Sequence, residues 1–87
     1  MGYRLEFTDQ AKEDIAAHKK GGNKAVLSKL LKLLEELTED PFSGTGKPEP
    51  LKHNLSGFWS RRINKEHRLI YEVTENNVFI LSAKGHY

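Results

Sequence analysis

The sequence contains no cysteine, which excludes a disulfide framework and a thiolate metal site and points to a reducing compartment, the cytoplasm. It also lacks any apolar run approaching the length of a signal peptide or a membrane span, so no bilayer role is expected. Met1-Gly2 is followed by Glu6 where a myristoylation signal needs serine or threonine. Charge of one sign is not in excess either. Fourteen Lys and Arg against 12 Asp and Glu leave a formal +2, compatible with nucleic acid without requiring it. With 87 residues, 37% of them hydrophobic, the chain is expected to form one domain, residues 1–87, around a small core. A chain this short encloses no deep cavity, so an active site would be an open surface feature.

Signatures of several enzyme classes are missing as well. The stretch Gly44-Thr45-Gly46-Lys47 lacks the third glycine of a dinucleotide fingerprint. It also lacks both the upstream glycine and the following Ser or Thr of a phosphate loop. His18, His53, His67 and His86 have no ligand spacing, so no metal is expected. No serine lies in a nucleophile-elbow sequence.

Residues 3–7 alternate enough for a short strand. Thr8 or Asp9 then offers an N-cap to a polar helix ending at Gly21-Gly22. From Asn23 a second helix carries Leu27, Leu30, Leu31, Leu34 and Leu37 at helical spacing, with Val26 and Leu33 widening the stripe. Asp40-Pro41 ends it. The stretch 41–50 packs three prolines and two glycines and reads as a loop. Alternation in 51–55, 58–64, 67–74 and 78–87 predicts four further strands. The order β-α-α-β-β-β-β implies an α+β fold, a largely antiparallel sheet with two helices on one face and the other face open.

The halves differ in charge. Residues 1–43 hold 7 Lys and Arg against 8 Asp and Glu, whereas residues 44–87 hold 7 against 4. Strand alternation sets Arg62 with Phe58 and Ser60, and Arg61 with Trp59 and Ile63. If Leu69, Tyr71, Val73, Phe79 and Leu81 face the helices, then Arg62, Arg68, Lys84 and His86 converge on the open face. Alternation alone favours a screened network in which Arg62 and Arg68 pair with Glu66 and Glu72. Glu49 stands between two prolines, which stiffen the backbone that presents its carboxylate. Stiffness suits a catalytic base and a simple rigid turn alike.

The run KPEPLKHNLSGFWSRRINKEHRLIYEV, residues 47–73, together with the closing His86-Tyr87, closely resembles the YoeB (Txe) group of RelE-like toxins. These are the messenger-RNA interferases of bacterial toxin–antitoxin pairs. The resemblance implies a RelE-like, microbial-RNase-like fold and a ribosome-dependent endoribonuclease acting on messenger RNA in the A site, with no metal or other cofactor. It implies that Glu49 is the general base, His86 the general acid, and Lys52 and Arg68 the phosphate and transition-state cations. Arg62 and Glu66 would support them, and Tyr87 would position RNA beside the acid. It further implies a YefM-like antitoxin of the Phd/YefM family as partner, with a homodimer as one assembly it allows. Lys12, Lys19, Lys20, Lys24, Lys29 and Lys32, on the two helices, are candidate contacts to ribosomal RNA or simple solvated charges. The rival readings are a non-catalytic RNA- or ribosome-binding module and a structural domain whose only partner is the antitoxin.

Overall fold

The computed structural model describes residues 2–51 and 57–85. Seven elements follow in order: β1 (Arg4–Phe7), α1 (Asp9–Gly21), α2 (Lys24–Glu39), β2 (Glu49–Pro50), β3 (Phe58–Arg62), β4 (Arg68–Val73) and β5 (Asn77–Ser82). Thr8 caps α1 by accepting the Ala11 N–H at 3.1 Å, and its hydroxyl donates to Leu81 O at 3.0 Å. The helix is therefore anchored to β5 at its first turn. Asn23 caps α2 through the Val26 N–H at 3.1 Å. Such caps each contribute about 1 kcal/mol. Asp40, extended at φ −149° as a residue before proline must be, ends α2.

The strands form one sheet in the order β1-β5-β4-β3-β2, antiparallel except for the parallel pair β1 and β5. Register divides the side chains into rows. On one face Phe7, Ile80, Tyr71 and Trp59 lie opposite one another, as do Leu5, Val78 and Val73. Both helices pack there, joining Ala11, Val26, Leu30, Leu33 and Leu37 to Leu69, Tyr71, Val78 and Ile80 in one core. The other face carries the row Glu6, Phe79, Glu72, Phe58, the row Ser82, Ile70, Ser60, Glu49, and the pair Arg68 and Arg62.

Three expectations are corrected. In β5 the core residues are Val78 and Ile80, and Phe79 turns to the open face, because the hairpin register sets Val78 opposite Val73 and Ile80 opposite Tyr71. A bulge at Ile70/Tyr71 then leaves Leu81 without an opposite residue and half-buried. The buried stripe of α2 is Val26, Leu30, Leu33 and Leu37, and Leu31 is 62% exposed; the cluster of seven apolar residues is wider than the contact, and packing selected one side of it. The strand expected over 51–55 begins earlier, at Glu49, continuing only as a Leu51 N–H to Phe58 O bond at 2.8 Å. Residues 52–55 lie outside the described residues. The last strand stops at Ser82.

Arg61, on the helix-facing side of β3, is 0% exposed. Its Nε donates to Tyr71 Oη at 3.1 Å, and Nη1 donates to Glu36 Oε1 at 2.8 Å and Thr45 O at 3.3 Å. Nη2 donates to Asp40 O at 2.9 Å and Ser43 O at 2.8 Å. All five guanidinium N–H groups are thus satisfied. Tyr71 Oη passes the chain on to Pro41 O at 2.8 Å, and Glu36 also accepts from the Thr45 amide and hydroxyl. The loop wraps so closely that a Cβ on Gly44 (φ +125°) would lie 2.5 Å from Glu36 Oε1. One on Gly46 (φ +83°) would lie 2.8 Å from Arg62 O.

Arg61→Lys removes two of five donors and the planar fork, so urea denaturation should show a loss of about 2–4 kcal/mol. A loss under 1 kcal/mol would contradict this role for the cluster. Burial pushes the Glu36 carboxyl up, but hydrogen bonds from Thr45 and Arg61 outweigh it and hold its pKa below the ordinary 4.5. Asp40, bonded by the Ser43 hydroxyl and the Phe42 amide, is lowered too. A lowered carboxylate stabilises the fold above its unfolded value and loses that contribution as pH falls through the folded one. The Tm advantage of the native protein over Glu36→Gln should therefore shrink below pH 4.5; a difference constant from pH 7 to 3 would refute it.

Candidate active site

Glu49 and Arg68 come from strands that do not touch. Glu49 lies on the edge strand β2 opposite Ser60, and Arg68 opens β4 opposite Arg62, with β3 between them. Two strand spacings of about 4.8 Å separate their backbones. Their side chains nevertheless meet, Arg68 Nη1 to Glu49 Oε1 at 3.3 Å. The floor between them is Ser60, small and 1% exposed, flanked by buried Ile70.

Prolines are compatible with this edge because an unpaired outer strand needs no ladder N–H from them. Pro50 still lies opposite Trp59, so Glu49 is presented by a paired strand rather than by a free loop. The carboxylate is 62% exposed and the guanidinium 24%, which leaves the acid open to a ligand arriving from solvent.

The expected pairing of Arg62 and Arg68 with Glu66 and Glu72 is not made. Among the described residues the ion pairs are Arg61 with Glu36 and Arg68 with Glu49. Glu66 is exposed in the turn after β3, its N–H donating to Asn64 Oδ1 at 2.8 Å. Glu72 sits between Phe58 and Phe79 in its own row. Arg62 and Arg68 face each other directly across β3 and β4, an arrangement of like charges that is destabilising by itself and that Glu49 offsets at Arg68. Arg62 also borders a cleft of about 410 Å³ lined by Lys29, Gly46, Lys47, Ile63, Asn64 and Lys65. Four cations and no carboxylate line it.

The remaining candidates divide by position. Lys29 is the helix lysine that reaches this cleft; Lys12, Lys19, Lys20, Lys24 and Lys32 are exposed on α1 and α2. Lys84 is exposed in the turn after β5. Lys52, His86 and Tyr87 lie outside the described residues. Gly85, the last described residue, is held at its carbonyl, which accepts the Arg68 N–H at 3.1 Å. Among the described residues no group of three or more His, Asp or Glu side chains is placed to hold a metal ion.

Sequence reasoning passed over Arg61, although an arginine sharing a strand face with Trp59 and Ile63 is a signal of a buried, bonded cation. It also passed over Asp14 and His18, four apart on α1 and both buried.

Fold and site together define a small α+β protein whose uncovered sheet face sets the Glu49 carboxylate beside the paired Arg62 and Arg68. Residues 7–87 match the family described as the YoeB-like toxin of bacterial type II toxin-antitoxin systems. Toxin YoeB of Escherichia coli K12 is 52% identical over 65 residues, covering 75% of this chain and 77% of that protein. The YoeB dimer from Staphylococcus aureus superposes with a TM-score of 0.87 at 41% identity. A Staphylococcus aureus YoeB-YefM complex gives 0.84 at 42%, both over the full length of both chains. The chain belongs to the YoeB-like toxin family, within the RelE-like fold.

An exposed ion pair contributes little to stability. Glu49→Gln should therefore keep its unfolding free energy within about 0.5 kcal/mol of the native protein. A loss above about 1.5 kcal/mol in urea would make Glu49 a structural residue.

Proposed function

We propose that this protein is a ribosome-dependent endoribonuclease that cleaves messenger RNA in the A site and is silenced by a YefM-like antitoxin. The observation that carries the reading is the exposed Glu49 carboxylate held against Arg68, with Arg62 and a lysine-lined cleft beside them. A binding module would gain nothing from a carboxylate that opposes phosphate, whereas a nuclease needs a base beside the charge that receives the phosphate.

Glu49 takes the proton from a ribose 2′-OH as that oxygen attacks the adjacent phosphorus. The bond from phosphorus to the 5′-oxygen then breaks, and His86 gives its proton to the leaving oxygen. The products are a 2′,3′-cyclic phosphate and a 5′-OH. Arg68, Arg62 and Lys52 stabilise the negative charge that builds on the phosphoryl oxygens, and Tyr87 stacks beside the acid. No step calls for a metal. Glu66, near the start of β4, supports the cations, and Lys29, Lys47 and Lys65 extend the anionic path beyond Arg62. The open face grips only a short length of RNA, which fits a ribosome that supplies the positioning. A homodimer is extended to this chain from the Staphylococcus aureus YoeB dimer, as the antitoxin is from the YoeB-YefM complex.

The test is mapping of messenger-RNA 5′ ends by primer extension in a translating extract, with Glu49→Gln, His86→Gln and a blocked-initiation arm. Cuts that depend on translation and fall by about 10²–10⁴-fold in each variant are expected. An all-deoxy oligonucleotide should resist, since it lacks the nucleophile. Ribosome binding with no cuts in any arm would make the chain a non-catalytic module.

A further inference from the structure

Three polar side chains outside the acid–cation pair converge on the segment that precedes the C-terminal His-Tyr. Asp14 and His18, one turn apart on α1, are both buried. Asp14 Oδ2 accepts the Ala83 N–H at 2.9 Å while Oδ1 accepts from Gln10 Nε2 at 2.8 Å. His18 Nε2 lies 2.7 Å from Ala83 O, and since a carbonyl only accepts, that nitrogen carries the proton. Both backbone groups of residue 83 are thus held by α1, just where β5 has ended at Ser82. The His18 ring meets His67 edge to face, centroids 4.7 Å apart. His67 Nδ1 accepts the Gly85 N–H at 2.9 Å. Gly85, at φ +82°, gives its carbonyl to Arg68. Every hydrogen-bonding group of residues 83 and 85 is therefore taken.

A strand end needs no such apparatus. Burying a carboxylate and an imidazole costs free energy that a leucine in either place would not, and the gain here is a chain path fixed to the residue next to His86. We propose that Asp14, His18 and His67 are positioning residues that fix the backbone at Ala83 and Gly85, the point from which the chain continues to the proposed acid His86. This rests on the cleavage reading above. His67 is the informative member, since it holds Gly85 from the residue preceding Arg68, so acid-bearing tail and cation share one anchor. An error of about 1 Å in such an anchor is enough to lower turnover about 10²-fold.

The experiment compares His67→Ala with His67→Asn in a reconstituted translation system, alone and combined with His86→Gln. Gly85 amide exchange is followed by NMR and folding by circular dichroism. An asparagine Oδ1 can accept the same N–H, so His67→Asn should stay within about 3-fold of native turnover and keep the Gly85 amide protected. His67→Ala should lose about 10–100-fold in kcat with KM little changed, and expose that amide. On the His86→Gln background the alanine should cost little more, because it acts through the acid. The proposal is overturned if His67→Asn is as slow as His67→Ala, if the alanine effect persists undiminished without His86, or if Gly85 stays protected in His67→Ala. Native turnover in His86→Gln would instead remove the acid assignment, and with it the role proposed for the anchor.

Discussion

A buried guanidinium with five acceptors organises this molecule. Arg61 takes carbonyls from the end of α2 and from the loop after it, the Glu36 carboxylate, and the Tyr71 hydroxyl of the neighbouring strand. Leaving such a charge in a core without these partners would cost several kcal/mol, so the loop has little choice of path. Carbonyls at a helix C-terminus already favour a cation, and here that preference ties the helix layer to the sheet layer. Glycines at 44 and 46 follow from it, since the chain must pass close over the cluster. The Gly46 carbonyl then accepts the Arg62 N–H at 2.7 Å, and the loop reaches β2 in register with β3.

What the core cluster fixes on one side of β3, the open face uses on the other. Arg61 and Arg62 are adjacent in sequence and point to opposite sides, one fully bonded and one exposed. The strand that buries the first presents the second, and β2, steered there by the Arg61 loop, presents Glu49. The two roles of the Arg-Arg pair are thus inseparable: the inner residue builds the scaffold that presents the outer one beside Arg68. The open face is divided as well, with Glu6, Phe79, Glu72 and Phe58 in one row and the cations at the other end. In the proposed reading, repulsion from the acidic row would direct a phosphate chain toward Arg62, Arg68 and the lysine-lined cleft.

The two ends of the β4–β5 hairpin are treated differently. At its turn, Thr74 and Asn77 close the loop with a Thr74 N–H to Asn77 O bond at 2.9 Å. At its open end the pairing gives way to side chains from α1 and from the turn before β4. Side chains hold that segment with a direction that a ladder would not impose, and the segment leads to the terminal His-Tyr.

Local patterns carried much of this in the sequence alone. The caps Thr8 and Asn23, the stop at Asp40-Pro41 and the strands around 58–62, 68–73 and 77–82 depend on neighbours within a few residues, and they are legible for that reason. The motif from 47 to 73 likewise carried the family. Other features were decided only by chain segments meeting from afar. The face of β5 was set by its register against β4, and the contact stripe on α2 was chosen by the sheet beneath it. Arg68 found Glu49, 19 positions away, in place of Glu66 or Glu72 nearby. A charge selects its partner by distance and desolvation in space, and alternation along one strand holds no information about which acid the next strand but one will bring.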